Sequence, residues 1–239
     1  AGLARLMTPS LNGGHGASVR AQVHACAELA RACPASSWVL MVCGAHNWIS
    51  GSFSEQCRTE MYGSDQDLLI AGTLAGQGRF KKADGGWRVS GRWQFVSGCH
   101  NASVFGATVR LYEEGEPVGQ NVYAMVGEPD YLIEDTWDVG GMCGSGSHDV
   151  GVDDVWVPAN QIVAPLGGAK AVSNQLRFPL GARLAFNKVA VALGIARAGI
   201  ESFVDLAEGK VPRFTSRSLR DRPASQRAVA EAEVRVRSG

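Results

Sequence analysis

Gly86-Trp87-Arg88-Val89-Ser90-Gly91-Arg92-Trp93-Gln94-Phe95-Val96-Ser97-Gly98-Cys99 alternates large apolar with polar residues on both sides of Ser90-Gly91, the pattern of half-buried strands. Working outward, Leu68–Thr73 is a short apolar run bounded by Asp67 and Gly76. Val104–Leu111, Asn121–Val126 and Val150–Val157 continue the theme, with turns at Glu114-Gly115 and Glu128-Pro129-Asp130. Five or more short strands separated by turn signals predict an antiparallel barrel or sandwich. Regular alternation of strand and helix is missing, which disfavours a parallel Rossmann-type sheet.

The flanks of this zone have a different period. Val19, Val23, Cys26, Ala30 and Cys33 recur every three or four residues, with Ser18 placed as an N-cap and Pro34 as the stop. Ser36 or Ser37 is expected to cap a second helix through Trp38, Val42, Ala45 and Ile49, and Ser54 to open a third that ends near Tyr62. Beyond Pro179, an apolar stripe from Phe186 through Val189, Leu193 and Ile200 to Val204 predicts a helix of more than four turns. Pro212 interrupts, and another helix is expected after Pro223. The order is helices, then strands, then helices, with boundaries expected at 66/67 and 165/166.

Composition sets the class. The chain has 239 residues, of which 45% are hydrophobic, and zero formal net charge, so disorder is excluded. Its most apolar stretch, Trp38 to Ala45, falls short of the roughly 18 residues that a membrane span needs. Six cysteines without a C-x-x-C pair argue against a zinc or thioredoxin-like motif and for free thiols in a reducing cytoplasm. No His, Asp or Glu grouping has metal-ligand spacing, so no metal is expected. The neutral total hides an acidic body and a basic segment from residue 210 onward, where Lys210 and seven arginines face three acids. That segment lacks interleaved aromatics, so a solvated helix face or a subunit contact is favoured over nucleic acid. Neither end of the sequence reads as a terminus, which predicts a piece of a longer chain.

Two stretches carry a family resemblance. One is Gly86–Cys99. The other runs Asp135-Thr136-Trp137-Asp138-Val139-Gly140-Gly141-Met142-Cys143-Gly144-Ser145-Gly146-Ser147-His148-Asp149-Val150 and on to Val155-Trp156-Val157-Pro158. Together they resemble the acyl-CoA dehydrogenase superfamily, and within it the flavin-dependent monooxygenase branch, the oxygenase components of two-component aromatic hydroxylases. Leu193-Gly194-Ile195-Ala196 is similar to that family's C-terminal helix. The resemblance implies an α+β fold: N-terminal helices (1–66, partial), a central antiparallel β-barrel (67–165) and a C-terminal helical bundle (166–239, partial), assembled as a homotetramer.

The same resemblance implies the chemistry. Reduced flavin, FMN or FAD, would come from a separate reductase, react with O2 to a C4a-hydroperoxide, and hydroxylate an aromatic or polycyclic small molecule. Phe95, Val96 and Ser97 fall where the family's strand passes the flavin ring, with Thr73 as a further cofactor contact. Ser97 is expected to reach the flavin N5 or the peroxide. His46, late in an apolar helix, would face the substrate hydroxyl, where an imidazole with a pKa near neutrality can take or share its proton. Trp48, Gly72 and Ser147 are expected to line the substrate pocket. Some relatives carry serine at the position of Gly72 and many carry arginine at the position of Cys143. Arg177, Arg183, Arg213 and Arg217 are flavin-phosphate candidates, with solvent-facing arginines the better reading for each. The rival readings are an acyl-CoA dehydrogenase, which desaturates an acyl thioester, and a non-catalytic scaffold that kept the fold.

Overall fold

In the computed structural model, which describes residues 2–63, 67–163 and 177–238, three helices lead. They are α1 (Val19–Ala32), α2 (Pro34–Ile49) and α3 (Glu55–Tyr62). Ser18 caps α1 by accepting from the Ala21 amide at 3.2 Å, and Ser54 caps α3 through the Cys57 amide at 3.2 Å. The second cap differs from expectation. Pro34 does not merely end α1; it takes the first turn of α2, where a missing N–H costs nothing. Ser37 is therefore inside the helix and buried, donating to the Cys26 carbonyl at 2.7 Å.

Seven strands follow among the described residues: β1 (Ile70–Ala83), β2 (Gly86–Val96), β3 (Val104–Glu113), β4 (Glu116–Gly127), β5 (Leu132–Glu134), β6 (His148–Pro158) and β7 (Ile162–Val163). Their order is β5-β6-β2-β1-β3-β4-β7. All neighbouring pairs are antiparallel except one, which corrects the all-antiparallel expectation: β1 and β3 run parallel, with Gly72 opposite Gly106. The reason is topological. β2 folds back along one edge of β1, and the short helical turn at Cys99–Asn101 returns the chain to the other edge, restoring the original direction. The short run read at Leu68–Thr73 extends to Ala83 through a register shift between Thr73 and Gly78. The two halves of Gly86–Val96 form one strand.

The main core lies on this sheet. Trp93 is fully buried, meets Phe105 edge-on at 5.1 Å and donates its indole N–H to the Thr108 carbonyl at 2.9 Å, so its polar atom is satisfied. α4 (Leu180–Gly209) and α5 (Pro223–Ser238) close the described chain. Ala190 and Val191 of α4 pack on Cys26 and Ala30 of α1 and Met41 of α2. Part of the basic segment pairs with its own acids, Arg237 with Glu233 and Arg227 with Glu231, and Glu233 also accepts from Arg197 of α4. No described helix is long and apolar enough to cross a membrane. The expected boundaries at 66/67 and 165/166 involve residues outside the described set.

Candidate active site

α2 is the element that organises the site, because its residues serve two places on the sheet. Near its start, Trp38 donates its indole N–H to Ser97 Oγ at 3.0 Å. Ser97 Oγ lies 2.8 Å from Ser147 Oγ, which lies 2.8 Å from Ser145 Oγ. All three hydroxyls are buried. The strand β2, the helix α2 and the glycine-rich loop before β6 thus converge on one row of hydroxyls. An indole can only donate, so Ser97 accepts there and keeps its own hydrogen for Ser147 or for a group in front of it.

Two residues before Ser97 the backbone is unusual. Phe95 has φ 60°, in the left-handed region, at a register shift between Trp93 and Val96 where β2 leaves β6. A phenylalanine there is strained, by on the order of 1 kcal/mol or more, and such strain clusters at functional sites. The shift turns the Phe95 ring outward: it is 67% exposed, flanked edge-on by Trp137 at 6.3 Å. An exposed aromatic backed by a half-buried one, close to a polarised hydroxyl, fits a flat, hydrogen-bonding cofactor such as a flavin.

Two turns further along α2, about 12 Å by helix rise, His46 occupies the second place. It is buried, 4% exposed, and its Nδ1 is hydrogen-bonded to the Tyr123 hydroxyl. The two rings are nearly parallel, with centroids 5.7 Å apart. Burial pushes the imidazole down to about 4, against a weaker upward pull from the Gly72 backbone. His46 is therefore neutral at physiological pH. Beside it, Asn47 ties α2 to the start of β1, donating to the Leu68 carbonyl at 2.7 Å and accepting from the Ile70 amide at 2.9 Å.

The expected site residues divide accordingly. Ser97, Ser147 and Phe95 come together, and His46 meets Gly72 on β1. Val96 is fully buried in the sheet core, so its side chain offers nothing to a cofactor. Thr73 uses its hydroxyl locally, accepting from the Ala75 amide at 3.2 Å. Trp48 packs away from the hydroxyl row, with the Arg183 guanidinium 4.7 Å above its ring. Arg183 corrects the solvent-facing expectation: it is 2% exposed, bonded to Gln22 Oε1 at 2.6 Å, and lowered to about 10 by burial. Trp38, Tyr123 and Asn47 are the polar contacts that sequence reading missed. Trp38 and Asn47 lie in a helix read only for its apolar period, and Tyr123 in a strand read only for alternation. A signal for Tyr123 was present in two strand-interior glycines, Gly72 and Gly106, since such glycines mark close approach.

Helices on either side of a mixed sheet, with an exposed aromatic two residues from a buried hydroxyl row and a neutral histidine on α2, give the arrangement that comparison with known proteins can be set against. The family described as acyl-CoA dehydrogenase, C-terminal domain, matches residues 187–238. The FADH(2)-dependent resorcinol hydroxylase oxygenase component of Rhizobium sp. (strain MTP-10005) is 30% identical, over 97% of this chain and 60% of its own length. The flavin-dependent monooxygenase oxygenase subunit HsaA of Rhodococcus jostii (strain RHA1) is 32% identical, over 97% and 63%. The crystal structure of 3-HSA hydroxylase from Rhodococcus sp. RHA1 superposes with a TM-score of 0.90 at 29% identity, over 99% of this chain and 63% of that one. The likeness to the acyl-CoA dehydrogenase superfamily thus runs along nearly the whole chain, and the relatives named here are flavin-dependent monooxygenases and their oxygenase components. It spans roughly three-fifths of the length of the curated relatives named here.

Proposed function

We propose that the chain is the catalytic body of a flavin-dependent monooxygenase that hydroxylates an aromatic or polycyclic small molecule, with dioxygen as co-substrate and reduced FMN or FAD delivered by a separate reductase. The observation that carries this reading is the buried row Trp38–Ser97–Ser147–Ser145, whose Ser97 follows two residues after the outward-turned Phe95. Phe95 and Trp137 supply the apolar edge against which a flavin ring packs. Ser97, held by the Trp38 donor, presents its hydroxyl hydrogen to the cofactor, and Ser147 backs it. Bound reduced flavin supplies the electrons and activates the oxygen. His46 faces the substrate from α2, and Trp48 and Gly72 shape its surroundings. Its neutral imidazole exchanges a proton with a substrate hydroxyl without creating a buried charge at rest.

The relatives' printed names support the same chemistry, as oxygenase components and subunits. The assembled form is a homotetramer, and the six free cysteines suit a reducing cytoplasm. The three-part division at 66/67 and 165/166 belongs to this reading.

The test mixes the protein with photoreduced FMN or FAD in air and an aromatic substrate. Hydroxylated product, counted against hydrogen peroxide released, is the expected outcome. Ser97→Ala should raise the peroxide share more than His46→Ala does, and His46→Ala should lower product formation at unchanged flavin binding. Anaerobic bleaching of bound FAD by an acyl-CoA would assign desaturation instead. Failure to bind flavin in either redox state would remove the reading.

A further inference from the structure

We infer that Tyr123 is the positioning residue of His46, fixing its imidazole with Nδ1 as the acceptor and the ring hydrogen on Nε2. The inference rests on the proposal that His46 faces the substrate, and it assigns the role in which His46 meets it. The geometry begins with two bare positions. Gly72 and Gly106 lie opposite each other on the parallel strands β1 and β3. A Cβ on Gly106 would overlap the Tyr123 hydroxyl itself. A Cβ on Gly72 would lie 3.0 Å from both that hydroxyl and His46 Cε1, and would overlap the Gly106 carbonyl. Only paired glycines leave the channel through which a phenol from β4 crosses the sheet to reach α2.

The direction of the hydrogen bond follows from the partners. Burial holds the Tyr123 phenol well above its ordinary pKa, so it always carries its hydrogen. Cys43 on α2 and Tyr62 on α3 are the titratable groups that bear on Tyr123, and burial keeps both neutral. The Gly72 carbonyl can only accept, and a neutral imidazole has one N–H. The phenol therefore donates to Nδ1 while the ring hydrogen rests on the Gly72 side, where an incoming substrate oxygen meets it. The bond at one ring nitrogen decides which nitrogen is protonated. His46 thus enters as a hydrogen-bond donor to the substrate oxygen, with Tyr123 holding the imidazole in that tautomer and orientation.

The test is the tautomer of His46, read from the side-chain 15N resonances of histidine-labelled protein without flavin or substrate. The expected wild-type spectrum has Nδ1 unprotonated. In Tyr123→Phe, which keeps the ring and removes the donor, Nδ1–H should become populated and the imidazole midpoint should rise. Gly106→Ala, which displaces the hydroxyl and leaves the phenol in the chain, should do the same. A wild-type ring with its hydrogen on Nδ1 overturns the assignment even if neither variant folds, and so does an unchanged tautomer in both variants. Addition of resorcinol with reduced FMN is a separate arm. His46 resonances that shift confirm that it faces the substrate. Resonances that stay still remove that role, and the donor role with it, while the tautomer result stands as structure alone.

Discussion

His46 links stability to pH through a single side chain. Its folded value near 4 lies below the ordinary 6.5, so between those values the unfolded chain binds a proton that the folded chain refuses. Stability is therefore fully present above about pH 6.5 and falls as pH drops toward 4, by up to about 1.4 kcal/mol per unit and on the order of 3 kcal/mol in all. His46→Gln should flatten this part of the urea-denaturation profile, and an identical slope in the variant would refute the assignment to His46. At the other place, Ser97→Ala leaves the Trp38 indole N–H without an acceptor. The expected loss is about 1–3 kcal/mol, read as a lower denaturation midpoint at unchanged m-value. The histidine was visible in the sequence because few residue types do acid–base chemistry. Its phenol partner was not, because a tyrosine in an alternating strand looks like any half-buried aromatic.

Among the elements, α2 and β1 frame the His46 end of the candidate site, and Asn47 joins them. Its amide is buried and satisfies the Leu68 carbonyl and the Ile70 amide at the point where β1 begins. Asn47→Ala leaves both backbone groups orphaned, with an expected cost of about 2–4 kcal/mol. Hydrogen exchange should report faster opening at Ile70 and Ala71 than at Val109 in the sheet interior; equal acceleration across the sheet would show that Asn47 is not a local tie. Helix existence was legible from the 3.6-residue period, and the caps Ser18 and Ser54 from residue type. The start of α2 was not, since Pro34 reads equally as the end of one helix and the first turn of the next. Nor was the parallel β1–β3 pair, because turn residues show where a strand reverses but not which edge it returns to.

At the scale of the molecule, the thiols offer a probe of the packing. Cys143 is exposed and Cys33 half-buried, whereas Cys26, Cys43, Cys57 and Cys99 are buried. Burial raises all four buried thiols, to about 12 for Cys43, which suppresses the reactive thiolate. A disulfide-exchange reagent should label Cys143 and Cys33 in the native protein, the latter helped by the Ser36 hydrogen bond that lowers its thiol, and the other four only in denaturant. Rapid native labelling of Cys43, which sits between Trp38 and His46 on α2, would show the site to be open.

The sequence by itself determined the succession of helices, strands and helices, the family, and the identities of Ser97, Ser147, Phe95 and His46 as site candidates. Period, turn chemistry and local motif are properties of neighbouring residues, so one dimension suffices to carry them. The tertiary structure alone decided which hydroxyls touch, that Val96 turns inward while Phe95 turns out, that Arg183 is buried, and that two glycines 34 positions apart open a path from Tyr123 to His46. Those facts depend on strand register and on the angle at which α2 crosses the sheet. Both are fixed by packing between residues distant in the chain, which no local pattern records.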